Sequence, residues 1–157
     1  MEKSIKTVII GADHRGFKLK DELKRSLSEW GYLIDDVGAP TYNPDDDHPD
    51  YAKALGRRLV TSPGMMGVLI CGSGVGIAVA ANKIPGIRAG MCVTPDQARS
   101  ARQDSNTNVL VLASDYLTAQ QARRITKTWL ETEFVPKEKY VRRLRKIEQL
   151  EKMVNRR

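Results

Sequence analysis

The chain has 157 residues, of which 41% are hydrophobic and 29% charged, a composition typical of one globular domain with its own core. No apolar run is long enough to cross a membrane, and the first residues lack the apolar segment of a signal peptide, so we expect a cytoplasmic protein. The net charge of +7 is concentrated in residues 137–157. That basic segment contains a single aromatic residue, so nucleic-acid binding is not expected.

Five apolar segments alternate with stretches of helical periodicity. In chain order, strands are predicted at residues 7–12, 32–37, 68–71, 87–93 and 108–113. The first helix ends at Gly31, and its apolar residues recur every three or four positions: Leu19, Leu23, Leu27 and Trp30. A polar loop over residues 38–48 separates the second strand from a helix that begins at Pro49, because proline suits the first helical turn.

The later helices carry start signals. A helix of small residues follows the glycine-rich turn after the third strand. Thr94 and Thr118 form capping boxes with the glutamine three residues later, and the second of these helices runs through Trp129. Pro136 begins a last, basic helix with one apolar stripe: Val141, Leu144, Ile147, Leu150 and Val154. This stripe is predicted to dock on a partner subunit.

Together these elements predict one α/β domain spanning the whole chain, with a parallel sheet covered by helices on both faces. Ligands bind such sheets at the carboxyl ends of the strands. Asp13 and His14 follow the first strand there, and Cys71–Gly76 follows the third. Asp104 and Ser105 precede the fifth strand, so we expect them at the opposite edge of the sheet.

The segment Cys71–Gly76 carries the most chemical information. Three alternating glycines either expose backbone N–H groups to an anion at a helix start or simply make a tight turn: Gly72, Gly74 and Gly76. Their spacing fits neither a dinucleotide-binding turn nor a Walker loop. Cys71 is a base or nucleophile in one interpretation and a small buried hydrophobe in the other. Cys92 is assigned to the core, with both thiols reduced.

Asp13 and His14 also allow two interpretations. His14 binds an anion or a sugar oxygen, or moves a proton; alternatively, Asp13 caps the next helix and His14 is incidental. No metal site is expected, because the only other histidine, His48, lies in the polar loop.

Several segments carry a family resemblance when taken in order: GADHRGFKLK, HPDYA, ICGSGVGIAVAANKIPGIRA, NTNVL and the basic last helix. They resemble the ribose-5-phosphate isomerase B / galactose-6-phosphate isomerase family. The resemblance implies a Rossmann-like three-layer α/β sandwich with a five-stranded parallel sheet and an extended C-terminal helix. It also implies a homodimer or tetramer with shared active sites. The implied reaction interconverts an aldose and a ketose phosphate through a cis-enediolate, most directly ribose 5-phosphate and ribulose 5-phosphate, without metal or cofactor.

The resemblance assigns a role to each candidate residue. Cys71 is the base, Ser73 assists it, and the amides of the glycine turn hold the enediolate oxygen. The substrate is contacted by Asp13 and His14. The segment before the fifth strand and the last helix reach the partner's site, where the second group acts: Asp104, Ser105, Lys139 and Arg143.

This second group departs from the family pattern. The family typically has His-Asn before the fifth strand, where the histidine opens the furanose ring, and this chain has Asp104 and Ser105. Three hypotheses follow. The chain is a homomeric isomerase in which Asp104 moves the ring-opening proton, on ribose 5-phosphate or a six-carbon sugar phosphate; or it is one subunit of a two-chain isomerase; or it binds sugar phosphates without turnover. His48 is either a displaced ring-opening acid or a loop residue that caps the next helix.

Overall fold

The computed structural model describes residues 6–154, which form a five-stranded sheet, six α-helices and one short 3-10 turn. The strands are β1 (Thr7–Ala12), β2 (Leu33–Asp36), β3 (Met66–Cys71), β4 (Ala89–Met91) and β5 (Val109–Ala113). The helices are α1 (Phe17–Glu29), α2 (His48–Val60), α3 (Val75–Ala81), α4 (Pro95–Gln103), α5 (Ala119–Glu131) and α6 (Glu138–Val154). The 3-10 turn (His14–Gly16) lies between β1 and α1.

All neighbouring strands are parallel, in the order β2-β1-β3-β5-β4. After β2 the chain returns past β1 to form β3, so the order reverses between these two central strands. Ala12 pairs with Ile70, which brings the carboxyl ends of β1 and β3 side by side. A crevice at such a reversal is the preferred ligand site of an open α/β sheet.

Helices cover both faces of the sheet, which confirms the predicted three-layer α/β architecture. Helices α1, α4 and α5 pack on one face around the fully buried Trp129, and α2 and α3 pack on the other around Leu55 and Ile77. Alternating residues of each strand face opposite layers, as the pleat requires. Cys92 belongs to the first layer and Cys71 to the second, and both thiols are free.

Several element boundaries differ from the sequence prediction. Strand β4 is much shorter than residues 87–93, because the amide of Ile87 closes a turn onto Ile84 and the amide of Arg88 donates to Asn108 Oδ1. Helix α3 begins at Val75, inside the glycine turn. Helix α6 begins two residues after Pro136, since the intervening amide of Lys137 donates to Val135.

The two predicted capping boxes differ from each other. At Thr118 both bonds form: Oγ1 accepts from the Gln121 amide at 3.2 Å, and Gln121 Oε1 accepts from the Thr118 amide at 2.9 Å. At Thr94 only the first forms, because Gln97 Oε1 accepts from the amide of Val93 at 2.8 Å. Gln97 therefore holds the segment between β4 and α4 through its bond to Val93.

Within residues 6–154, no helix combines the length and the apolar character that crossing a bilayer requires.

Candidate active site

The turn after β1 is built tightly against β3. The amide of Asp13 donates to the carbonyl of Ile70 at 3.3 Å. The buried carboxylate of Asp13 accepts from the amides of Arg15 (3.0 Å) and Gly16 (3.1 Å), so Asp13 caps the 3-10 turn. A β-carbon at Gly16 would lie 2.7 Å from the carbonyl oxygen of Ile70, so this close approach requires glycine.

His14 is held rigidly by the polar loop that follows β2. Its Nδ1 lies 2.8 Å from Asp46 Oδ1, and its backbone amide donates to the same oxygen at 2.9 Å. The Tyr51 hydroxyl donates to Asp46 Oδ2 at 2.8 Å. His14 is 27% exposed and Asp46 only 6%. His14 is therefore held in one orientation at the end of β1 by the loop that carries Asp46.

Burial and hydrogen bonds in this cluster shift the pKa values of Asp46 and Tyr51. Burial alone would raise the pKa of Asp46, but the hydrogen bonds from His14 and Tyr51 outweigh it and lower the pKa below its ordinary value. Burial and the neighbouring Asp46 carboxylate raise the pKa of Tyr51 to about 12. Asp46 thus stays ionised and accepts hydrogen bonds from both neighbours.

Asp46 and Tyr51 were not among the predicted site residues. The only feature of the sequence that points to them is the acidic loop after β2, which leads into HPDYA; β2 is the neighbour of β1 in the sheet. Asp13, His14 and Asp46 place ligand atoms within 4.8 Å of one another, which is close enough for a metal cluster. A metal at Nδ1 would have to replace the His14–Asp46 hydrogen bond, so the geometry favours a hydrogen-bonded pair.

The glycine turn closes the other side of the crevice. Cys71 ends β3 and is 5% exposed, opposite Ala113 of β5. Gly74 has a φ of +75° and lies at the N-terminus of α3, while Ser73 Oγ accepts from the Val75 amide at 3.3 Å. The first amides of a helix have no acceptor within the helix, so the turn offers N–H groups to an anionic oxygen next to the thiol. The structure brings Cys71, Ser73 and the three glycines together with Asp13 and His14 at one edge.

Two further side chains pack on this turn. The ring of His48 lies against Gly76, and the guanidinium of Arg15 lies against Gly72 and pairs with Asp115, which follows β5. His48 is the first residue of α2, and Asp47 occupies the N-cap position. The prediction that His48 caps this helix is therefore wrong, and its ring lies at the crevice instead.

The residues of the polar segment before β5 differ in their surroundings: some hold the fold together and others line a groove. Thr107 Oγ1 accepts from the indole of the buried Trp129 at 2.9 Å. Asn106, which has a φ of 43°, accepts from Arg88 at its carbonyl and from Arg102 at its side-chain oxygen. Asp104 and Ser105 instead line a groove of about 730 Å³ between α4, β4 and α6. They lie at the amino end of β5, about 16 Å along the strand from the edge that carries Cys71.

The start of helix α6 places polar residues beside Asp104. Partial burial and the neighbouring Asp104 carboxylate raise the pKa of Tyr140, and Arg143 nearby opposes that shift. The ammonium of Lys139 lies 5.1 Å from the centre of the Tyr140 ring. Asp104, Lys139 and Arg143 are thus grouped around Tyr140, away from Cys71 in the same subunit.

The family model described as Ribose/Galactose Isomerase matches residues 8–147. This range includes the residues around Cys71 as well as those around Tyr140. The chain belongs to the ribose/galactose isomerase family. This confirms the family to which the sequence motifs pointed.

Individual members of the ribose/galactose isomerase family match over most of their length. Ribose-5-phosphate isomerase B of Escherichia coli K12 is 38% identical over 131 residues, which cover 83% of this chain and 87% of that protein. The Mycoplasma genitalium enzyme with bound ribulose-5-phosphate superposes with a TM-score of 0.88 at 34% identity, covering 93% and 96% of the two chains. The type B ribose 5-phosphate isomerase of Trypanosoma cruzi superposes with a TM-score of 0.91 at 30% identity, covering 96% of this chain and 99% of that one.

Proposed function

We propose that this chain is an aldose–ketose isomerase that converts ribose 5-phosphate to ribulose 5-phosphate. The observation that carries the proposal is the placement of the Cys71 thiol beside the glycine turn, in the crevice between β1 and β3. The relatives named ribose-5-phosphate isomerase B, one of them with ribulose-5-phosphate bound, support the choice of substrate.

The chemistry follows from these groups. Cys71, as thiolate, removes the proton from C2 of the open-chain aldose, and the electron pair moves to the carbonyl oxygen. The amides of the Gly72–Gly76 turn hold the enediolate oxygen, where a preformed donor is most effective. A proton then moves from the O2 hydroxyl to O1, and return of the C2 proton from Cys71 to C1 leaves the carbonyl at C2, which gives the ketose. Ser73 assists by fixing the turn through its bond to the Val75 amide.

We further propose that the phosphate is bound by cations from a second copy of the chain. Lys139 and Arg143 are exposed on α6 at the far edge of the sheet. Arg143 supplies a fork of N–H donors that suits a phosphate. Asp104 and Ser105 lie in the same group and would reach the sugar from the partner's side.

Exposed apolar residues support a homodimer or tetramer. On α6, Ile147, Leu150 and Val154 remain 41%, 57% and 66% exposed, and on α3 Val75 and Val79 are 55% and 56% exposed. Apolar surface next to a catalytic turn is typical of a subunit interface. Light scattering of the purified protein distinguishes the dimer from the tetramer, and a monomer would contradict the shared site.

The test is an assay of the purified chain on ribose 5-phosphate and on six-carbon aldose phosphates. Cys71→Ala is expected to lower kcat by about 100-fold or more, because it removes the proton acceptor. Cys92→Ala is the matched control, since that thiol is buried in the opposite layer, where burial raises its pKa to about 11. It should retain most of the activity.

The same assay separates the alternatives. Turnover of only a six-carbon substrate would correct the substrate but keep the reaction. Activity that appears only on mixing with a paralogous chain would indicate a two-chain enzyme. Binding of sugar phosphates without turnover in either arrangement would contradict the isomerase assignment.

A further inference from the structure

An aldose phosphate with a furanose ring must be opened before its C2 proton becomes acidic. Opening requires a group that removes the proton from the C1 hydroxyl and a proton for the ring oxygen. Such transfers need an acid–base group held within hydrogen-bond distance of the sugar. Asp104 lies at the amino end of β5, about 16 Å along the strand from the edge that carries Cys71. The crevice of the same subunit contains a better-prepared group.

His14 has the geometry of such a group. Its Nδ1 lies 2.8 Å from Asp46 Oδ1, and the Tyr51 hydroxyl donates to Asp46 Oδ2 at 2.8 Å. An ionised carboxylate only accepts hydrogen bonds, so Nδ1 carries a proton and Nε2, on the other side of the ring from Asp46, is the nitrogen that can accept one. The backbone bond from His14 to the same carboxylate oxygen, at 2.9 Å, fixes the ring relative to the end of β1.

The burial of the pair also fits an acid–base role. The side chain of Asp46 is only 6% exposed, while that of His14 is 27% exposed. Buried Asp46 therefore stabilises the imidazolium that forms when Nε2 takes a proton, and the exposed ring remains accessible to a ligand. The turn that carries His14 is fixed against β3 through Asp13 and Gly16, so the imidazole lies on the edge that holds Cys71.

We propose that His14, oriented by Asp46 and Tyr51, opens the sugar ring in its own subunit; this rests on the isomerase function proposed above. Nε2 takes the proton from the C1 hydroxyl, the C1–O4 bond breaks, and its electron pair moves to O4. The imidazolium then gives the same proton to O4, which leaves the open-chain aldehyde for Cys71. Asp46 and Tyr51 are positioning residues, because they act through His14.

The experiment compares two reactions that differ in ring opening. Isomerisation of ribose 5-phosphate requires it. Exchange of the C1 hydrogen of ribulose 5-phosphate with D2O, followed by NMR, requires only Cys71, because the phosphate on the C5 oxygen prevents closure of a furanose ring. His14→Asn is expected to lower isomerisation about 100-fold or more while exchange stays within a few-fold of wild type. Asp46→Asn is expected to lower isomerisation about 10-fold or more with the same selectivity.

Asp45→Asn is the matched control, since Asp45 is exposed in the same loop, and it should leave both reactions unchanged. Equal losses in isomerisation and exchange for both His14→Asn and His14→Gln, in folded protein, would overturn the proposal. So would normal isomerisation by either variant, or a selective loss in His48→Asn instead. A wild-type chain that shows neither reaction would refute the isomerase function itself, which distinguishes that failure from this one.

Discussion

Lys20 shows how one residue can contradict its sequence context. It lies in the charged run FKLKDELK, yet its side chain is 1% exposed. Its ammonium lies 3.1 Å from Asp36 Oδ1 and 3.2 Å from the carbonyl of Ala39, and 5.2 Å from the centre of the Phe17 ring. The pair joins α1 to the start of the loop that carries Asp46.

Asp36→Asn is expected to lower the free energy of unfolding at pH 7 by about 3 kcal/mol, because it leaves Lys20 as a buried charge without its partner. Burial raises the pKa of Asp36, but hydrogen bonds from Lys24, Gly38 and Lys20 outweigh it and lower the pKa. A lowered carboxyl pKa stabilises the fold above the unfolded-state pKa of about 4, and this contribution is lost as pH falls through the folded value.

Urea unfolding checks this prediction at pH 7 and at pH values below 4. The difference between wild type and Asp36→Asn should shrink towards acid. Asp35→Asn serves as control, since Asp35 pairs with the exposed Arg58 at 3.5 Å and should cost less than about 1 kcal/mol. A difference that is independent of pH would contradict the assigned ion pair.

At the scale of elements, the 3-10 turn after β1 packs closely against the carboxyl end of β3. The 3-10 turn leaves no room for a side chain at Gly16, whose φ of −92° is otherwise allowed for any residue. The turn carries Asp13 and His14, so its contact with Ile70 sets how far these side chains lie from Cys71. The spacing of the crevice therefore depends on one steric contact between backbones.

Gly16→Ala is expected to destabilise the protein by about 1–3 kcal/mol through overpacking, and to lower isomerase activity more than stability alone explains. The added methyl group meets the backbone carbonyl of Ile70, which cannot rotate away. Gly90→Ala is the comparison, because the nearest atom to its methyl group is a side-chain methyl, that of Thr107 at 3.1 Å, and not a backbone atom. Urea unfolding and steady-state kinetics measure the two effects, and equal behaviour of the variants would refute the argument.

At the scale of the whole molecule, the predicted site residues form two groups at opposite edges of the sheet. Cys71 lies at the carboxyl edge, whereas Arg143 of α6 lies near Tyr140 and Asp104, which precedes the amino end of β5. A shared site in a symmetric dimer would contain one group from each subunit. Inactive variants of the two groups should then complement each other.

Co-refolding Cys71→Ala with Arg143→Ala is expected to restore about a quarter of the wild-type activity, because half of the dimers are mixed and each contains one intact site. Each variant alone should be nearly inactive. Mixing Cys71→Ala with His14→Asn is the control, since both changes lie in the same group and should give no recovery. Failure of the first mixture to recover, with exchange of subunits verified, would show that each site is built within one chain.

Much of the fold could be predicted because its signals are local. The spacing of Leu19, Leu23 and Leu27 determines a helical face, and the alternation within β3 sends Ile70 and Cys71 to opposite layers. Strand β4 was predicted too long, because an edge strand ends where competing turns capture its amides. The helix start at Pro136 was two residues early for a similar reason, since the Lys137 amide is held by Val135.

The sequence alone determined the layer architecture, the family, and the order of the elements that places Cys71 and Asp104 at opposite edges. Only the tertiary structure decided that Asp46 and Tyr51 hold His14 and that His48 packs on Gly76. Asp46 is 32 residues from His14 along the chain, so no local pattern marks the pair. Packing selects such contacts because a buried carboxylate is stable only where donors from distant segments meet it.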